Sequence, residues 1–157
     1  MTPYRIELAP GTEQLLAATA REMVQATFVV TPNQYSSFAA AIAGGDDPPS
    51  ASTLVVRDNV FQPRRTRPLL AKGSPETLFP IDTTIAVDGP HAEALLAAAL
   101  ADGIEFWFSP AAGTFLVYAD RDDYATVFAM REAAVARVSE RLRLAGFTEV
   151  PSYRRKL

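Results

Sequence analysis

The sequence predicts an α+β fold: one mixed or mostly antiparallel sheet covered by helices, arranged as a two-layer sandwich. Three observations lead there. Runs of β-branched and aromatic residues with alternating character recur at 83–88, 104–108 and 114–118. Segments rich in alanine and leucine, with apolar residues three and four apart, lie between or after those runs. Glycine, proline and aspartate clusters separate the two kinds of segment. Read alone, 83–150 also fits a ferredoxin-like βαββαβ unit, which requires residues 124–129 to be helical.

Residues 4–8 alternate as a short strand. Pro10-Gly11-Thr12 turns the chain, with Thr12 placed as an N-cap. A helix is predicted over 13–26, its stripe formed by Leu15, Leu16, Thr19, Met23 and Ala26. Residues 27–31 then read as a strand that Pro32 stops. A second helix over 33–43 carries Tyr35, Phe38, Ala39 and Ile42 on one side and ends at Gly44-Gly45. Residues 44–52 hold only residue types that favour turns or flexibility, so they are predicted to form a loop.

A strand pattern resumes over 53–61, with a hairpin turn at Arg57-Asp58-Asn59. Four prolines (Pro63, Pro68, Pro75, Pro80) then forbid long regular structure over 62–80, predicting an exposed, irregular loop. The strand 83–88 leads through Gly89-Pro90 into a helix over 91–101. Ser109-Pro110-Ala111-Ala112-Gly113 joins two alternating segments as a hairpin connection. Tyr, Thr, Val and Phe in 124–129 favour a strand there, paired back across the turn at 120–123. A helix over 130–145 buries Ala134, Val135, Val138, Leu142 and Ala145, Gly146 caps it, and 147–150 return as an edge strand.

This organisation is one α+β domain over 1–157, with a proline-rich basic loop at 62–80 and a short basic tail at 151–157. A chain of 157 residues buries about 68–70% of its unfolded surface, enough for a real core. An apolar fraction of 48% and a charged fraction of 21% set it apart from disordered sequences. The absence of cysteine removes disulfides, thiolate nucleophiles and cysteine-ligated metals. No signal peptide and no apolar run of about 18–20 residues is present, so a soluble, cytoplasmic protein without membrane attachment is expected.

No phosphate-binding glycine loop, nucleophile elbow, SxxK or HExxH occurs in the chain. The single histidine, His91, starts a helix beside Glu93 and reads as a surface or capping residue. Asp120, Asp122 and Asp123 offer oxygens that suit Mg²⁺ or Ca²⁺, but an EF-hand's glycine and later glutamate are missing. A tight turn collects aspartate in any case. Neither a metal nor a cofactor is expected, and no residue is assigned a catalytic role.

The net charge of −3 hides a segregation. Residues 57–72 carry Arg57, Arg64, Arg65, Arg67 and Lys72 against Asp58 alone, whereas 73–123 carry nine acids against Arg121. Residues 124–157 turn basic again, ending in Arg154-Arg155-Lys156. Such separation steers a charged partner and speeds its association. Alternation turns Phe106 and Phe108 to the core and Glu105 and Trp107 to the opposite face. If that face is open Trp107 is a binding anchor, and if a helix covers it Trp107 is core.

These features predict a protein-interaction module of adaptor, inhibitor or immunity type that acts by surface and charge complementarity. Another protein is the expected partner, contacted through Arg64, Arg65, Arg67, Trp107, Asp120, Asp122 and Asp123. One alternative is an enzyme without short motifs, its pocket lying under the 62–80 loop. The other is nucleic-acid binding through the basic loop and tail, which the net acidity and a pI near 5.2 oppose.

Overall fold

Seven strands hydrogen-bond in the order β1-β4-β3-β5-β6-β7-β2 in the computed structural model, every neighbouring pair antiparallel. The structure describes residues 3–44, 51–70, 77–111 and 113–157. In chain order the elements are β1 (Tyr4–Leu8), α1 (Thr12–Ala20), β2 (Val24–Val29), α2 (Tyr35–Ala43), β3 (Ser52–Asp58), α3 (Thr66–Leu70) and β4 (Thr83–Val87). Then follow α4 (Ala92–Ala101), β5 (Glu105–Pro110), β6 (Leu116–Ala119), β7 (Tyr124–Ala129) and α5 (Glu132–Leu144). The expected α+β sandwich is the fold found. Among the described residues no helix is long and apolar enough to cross a membrane.

Period-two alternation sorts each strand between two faces. Phe28, Val56, Ile85, Phe106, Phe108 and Val127 project to one side, beneath Phe38 and Ile42 of α2, Leu95 and Leu96 of α4 and Val138 and Leu142 of α5. Fully burying each such side chain stabilises the fold by about 1.5–3 kcal/mol. Val55, Trp107, Leu116, Tyr118 and Phe128 project to the other side, beneath Ala17 and Ala20 of α1. The last residue, Leu157, packs against this second cluster as well.

Residues 124–129 are a strand, in register with β2 from Val24↔Ala129 to Val29↔Tyr124. That removes the ferredoxin-like alternative, which needed a helix there. The first helix is shorter than predicted and ends at Ala20, because Val24, Ala26 and Phe28 alternate onto the sheet face that carries the main core. Leu15, placed on the buried stripe, is 67% exposed. Nor is Thr12 the N-cap. Gly11 takes that position at φ 87, and the Thr12 hydroxyl donates to Ala9 O at 2.7 Å. The acceptor for the helix start comes from far along the chain, since backbone N–H of Gly11 and Glu13 donate to the Asp82 carboxylate at 3.1 and 2.8 Å.

The predicted hairpin at 57–59 does not form either. β3 is a central strand between β4 and β5, and Arg57 is the extra residue of a β-bulge where the register steps from Val56↔Phe106 to Asp58↔Glu105. Asn59, buried, holds the segment before β4: its Nδ2 donates to Phe79 O at 2.7 Å and its Oδ1 accepts from Phe79 N at 3.1 Å. In the described parts of the segment predicted as an exposed, irregular loop, 62–70 and 77–80, the short helix α3 forms and Thr66, Arg67, Leu70 and Phe79 are buried. Lys72, and most of the loop expected over 44–52, lie outside the described residues. Residues 147–150 return along β2 as expected but make only an isolated bridge, Phe28↔Glu149.

Candidate functional site

Asp102, just past the end of α4, organises the surface that carries the basic run. Its carboxylate is buried and accepts from the backbone N–H of Arg65 at 3.1 Å and of Thr66 at 2.7 Å. It also accepts from the Thr66 hydroxyl at 2.7 Å. These bonds fasten the start of α3 to the end of α4. Arg64 and Arg65 are thereby left on the outside, both exposed.

Arg67 is turned the other way. Its guanidinium donates from Nε to Thr77 O at 2.9 Å and from Nη2 to Leu78 O at 3.1 Å, and it stacks 3.9 Å from the Phe79 ring centroid. Burial pushes its pKa below the usual arginine value. Arg67 therefore belongs to the folded interior and offers nothing to a partner.

The two outward arginines stand over a groove between α2, α3 and α4. One lobe, about 730 Å³, reaches Phe61, Gly103 and Arg121. A second, about 640 Å³, runs past Pro32 and Leu69 over Ala94 and Ala97 of α4. Tyr35, Arg64, Arg65 and Ala101 line both. Small side chains on α4 make the floor shallow but accessible. Val60 and Phe61 stand at the rim, 54% and 58% exposed. Gly103 lets that rim close on the helix end: at φ 66, a Cβ there would meet the Phe61 ring at 3.1 Å.

Positive charge in this groove is largely uncompensated. Arg64 bonds Gln62 Oε1 at 3.0 and 2.8 Å, a neutral acceptor. Among the described residues neither Arg64 nor Arg65 has a carboxylate within ion-pairing distance. Arg121 is 3.5 Å from Asp120 and keeps part of its surface in the groove. The Tyr35 phenol is raised above its ordinary pKa by burial and then by the Asp123 charge, so it stays a neutral donor.

The remaining predicted contact residues lie elsewhere. Trp107 faces away from the main core, as alternation requires, but α1 covers it and it is fully buried. Its indole N–H donates to Glu13 Oε1 at 3.2 Å, and its ring meets Tyr118 edge-on at 4.9 Å. The bulge aims Arg57 into the same cluster, 3.3 Å from carboxylate oxygens of both Glu13 and Glu105. Arg57 Nη1 donates to the Tyr118 hydroxyl at 3.2 Å, and that hydroxyl donates to Glu105.

Burial, followed by the bond to the Glu105 carboxylate, raises the Tyr118 pKa beyond reach of ordinary titration. Burial also raises Glu105, opposed by the Tyr118 hydrogen bond and the Arg57 charge. Neither lobe of the groove is lined by any of these residues. They pin α1 to the sheet.

Asp120, Asp122 and Asp123 form the β6–β7 turn, with Asp123 at φ 63. Asp122 Oδ2 accepts from Arg155 Nη1 at 2.7 Å, and Arg155 is buried against Thr126 and the Tyr118 ring. The central arginine of the basic tail is thus consumed by the fold. Among the described residues no three His, Cys, Asp or Glu side chains gather as metal ligands. His91 is exposed beside the Tyr4 ring, 5.9 Å away, and does not line either lobe.

Sequence reasoning singled out Arg64 and Arg65 as contact residues but not Tyr35, Phe61 and Arg121, which line the same groove. The adjacent apolar pair Val60-Phe61, with no strand partner, was the one local signal for that rim. Comparison with known proteins returns nothing: no family model, no curated protein and no solved structure matches the chain significantly. Chemically, the groove offers guanidinium donors, a phenol and apolar carbons. Among the described residues the one carboxylate in its lining is Asp102, which accepts from three donors.

Proposed function

We propose that this protein is an interaction module of the adaptor, inhibitor or immunity type, working in the cytoplasm, which receives an acidic, partly apolar segment of another protein in the groove beneath Arg64 and Arg65. The observation that carries this reading is the pair of exposed arginines that have no carboxylate partner among the described residues, held outward by the Asp102 bonds. Guanidinium groups bind carboxylates in paired hydrogen bonds, and exposed apolar side chains beside them supply area to bury. Val60 and Phe61 fill that second role.

The basic tail supports nucleic-acid binding poorly. Arg155 is buried on the face that α1 covers, while Arg64 and Arg65 lie by α4 on the other, so loop and tail do not add up to one phosphate-tracking surface. A cluster of Arg64 or Arg67 with His91 and two acids would favour an enzyme; among the described residues the groove brings Arg64 together with neither His91 nor a second acid beside Asp102.

Stoichiometric co-purification from native cells identifies the partner, and three variants test the site. Arg64→Glu with Arg65→Glu should abolish co-purification, and Ala97→Trp, which fills the second lobe, should weaken it strongly. Arg5→Glu, on exposed β1, should leave it intact. Association with the purified partner should slow as salt rises, since exposed charges are screened within about 8–10 Å at ordinary ionic strength. Binding that survives the double charge reversal would remove the groove from the function.

A further inference from the structure

We propose that a second, separate pocket, on the α1 side of the molecule, binds a small amphiphile with a straight apolar chain and a carboxylate head. It encloses about 510 Å³ between α1, the β5–β6 hairpin and the start of α5. That lies within the roughly 300–1,000 Å³ typical of small-molecule sites. Leu16, Met23, Phe115, Leu116, Met130 and Ala134 make its walls apolar. Leu16, Met23 and Leu116 also belong to the cluster around Trp107, so an apolar chain entering here extends a core that already exists. Met130, in the lining, is 65% exposed, a large apolar side chain open to a ligand's chain.

The polar side chains in the lining set the ligand class. Arg131 and Arg137 both line the pocket, and among the described residues neither has a carboxylate within ion-pairing distance. The other side-chain polar groups are two hydroxyls, Thr19 and Thr114, the first already donating to Leu15 O at 2.7 Å. A guanidinium only donates. An uncharged peptide would offer these guanidiniums carbonyl acceptors but no balancing charge, and would add N–H donors of its own, whereas a carboxylate is acceptor-only and carries the balancing charge. Two arginines in the lining of an apolar pocket, with no carboxylate near them among the described residues, therefore fit a fatty-acid-like anion better than an uncharged peptide or lipid.

Titration calorimetry of the full chain with decanoate, and separately with decan-1-ol, tests the assignment. Decanoate should bind saturably at one site, and the alcohol about tenfold or more weaker, the value of a charge-assisted hydrogen bond. Arg131→Gln with Arg137→Gln should bring decanoate down to the level of the alcohol. Ala133→Trp, filling the pocket from an exposed helical position, should remove both. Met130→Glu, also at an exposed position, should weaken decanoate and spare the alcohol. Absence of saturable decanoate binding would overturn the proposal, as would equal affinity for acid and alcohol, or decanoate binding that persists in the double arginine variant. None of these outcomes bears on the Arg64 and Arg65 groove, whose variants are tested against a protein.

Discussion

Arg64, Arg65 and Arg67 stand within four positions of one another, and nothing local separates their roles. What distinguishes them is long-range: Arg67 finds carbonyls of Thr77 and Leu78 and the Phe79 ring, while Asp102 takes the backbone N–H of Arg65. Run composition predicts that a segment is basic but not which guanidinium faces inward. Asp102→Ala should destabilise the fold by about 2–4 kcal/mol, since buried N–H donors of Arg65 and Thr66 lose a charged acceptor. Urea denaturation measures it, and Asp102→Asn should recover part of the loss.

Glu105 gives a pH prediction at the same scale. Its pKa is raised on folding, so the folded state holds this proton more tightly than the unfolded chain does. Its contribution to stability is therefore greatest below the ordinary glutamate range and declines as pH climbs through the raised folded value. Stability of the wild type relative to Glu105→Gln should fall over that interval. A pH-independent difference between the two proteins would contradict the burial assigned to this carboxyl.

At the scale of elements, the strands β4 to β7 and the helices α2, α4 and α5 were legible because period-two and period-3.6 patterns are unambiguous there. The end of α1 was not, because Met23 and Ala26 satisfy a helical stripe and Ala26 also satisfies the alternation of β2. The centrality of β3 was invisible for a different reason: its partners β4 and β5 are brought in by tertiary pairing. The acceptor at the start of α1 is equally remote, about seventy residues away at Asp82, which itself sits at φ 70. Asp82→Ala should cost about 1–2 kcal/mol through the lost cap, with added strain at the left-handed backbone position. Asp82→Asn keeps an acceptor and tolerates that conformation, so its midpoint in urea should lie between Ala and the wild type.

For the whole molecule, Trp107 is the only tryptophan and lies at the meeting of α1 and the sheet's second face. Its emission should be blue-shifted and resistant to iodide quenching in the native state. On urea unfolding the red shift should coincide with loss of far-UV ellipticity, as it does for a cooperative single unit. A fluorescence change at lower urea would show α1 lifting before the sheet melts. The candidate groove was only partly foreseeable at this scale, because it is assembled from α2, α4, the basic run and the β6–β7 turn. Segregated charge marked the basic stretch and said nothing about the alanine floor opposite it.

The two outermost strands have unequal protection. Segment 148–150 lies along β2, with Val29 N donating to Thr148 O at 3.0 Å and Val150 N to Thr27 O at 2.8 Å. β1 at the other flank pairs only with β4 and shows Arg5 and Glu7 to solvent. Trimming either terminal stretch in an expression vector would strip a ladder of backbone donors and acceptors, and strip it differently. Losing 148 onward bares the rim beside β2 and removes Arg155, the partner of Asp122, inviting stacking between molecules. Removal of β1 bares β4 along its full length, a strand with no charged residue in place of one that carries Arg5 and Glu7.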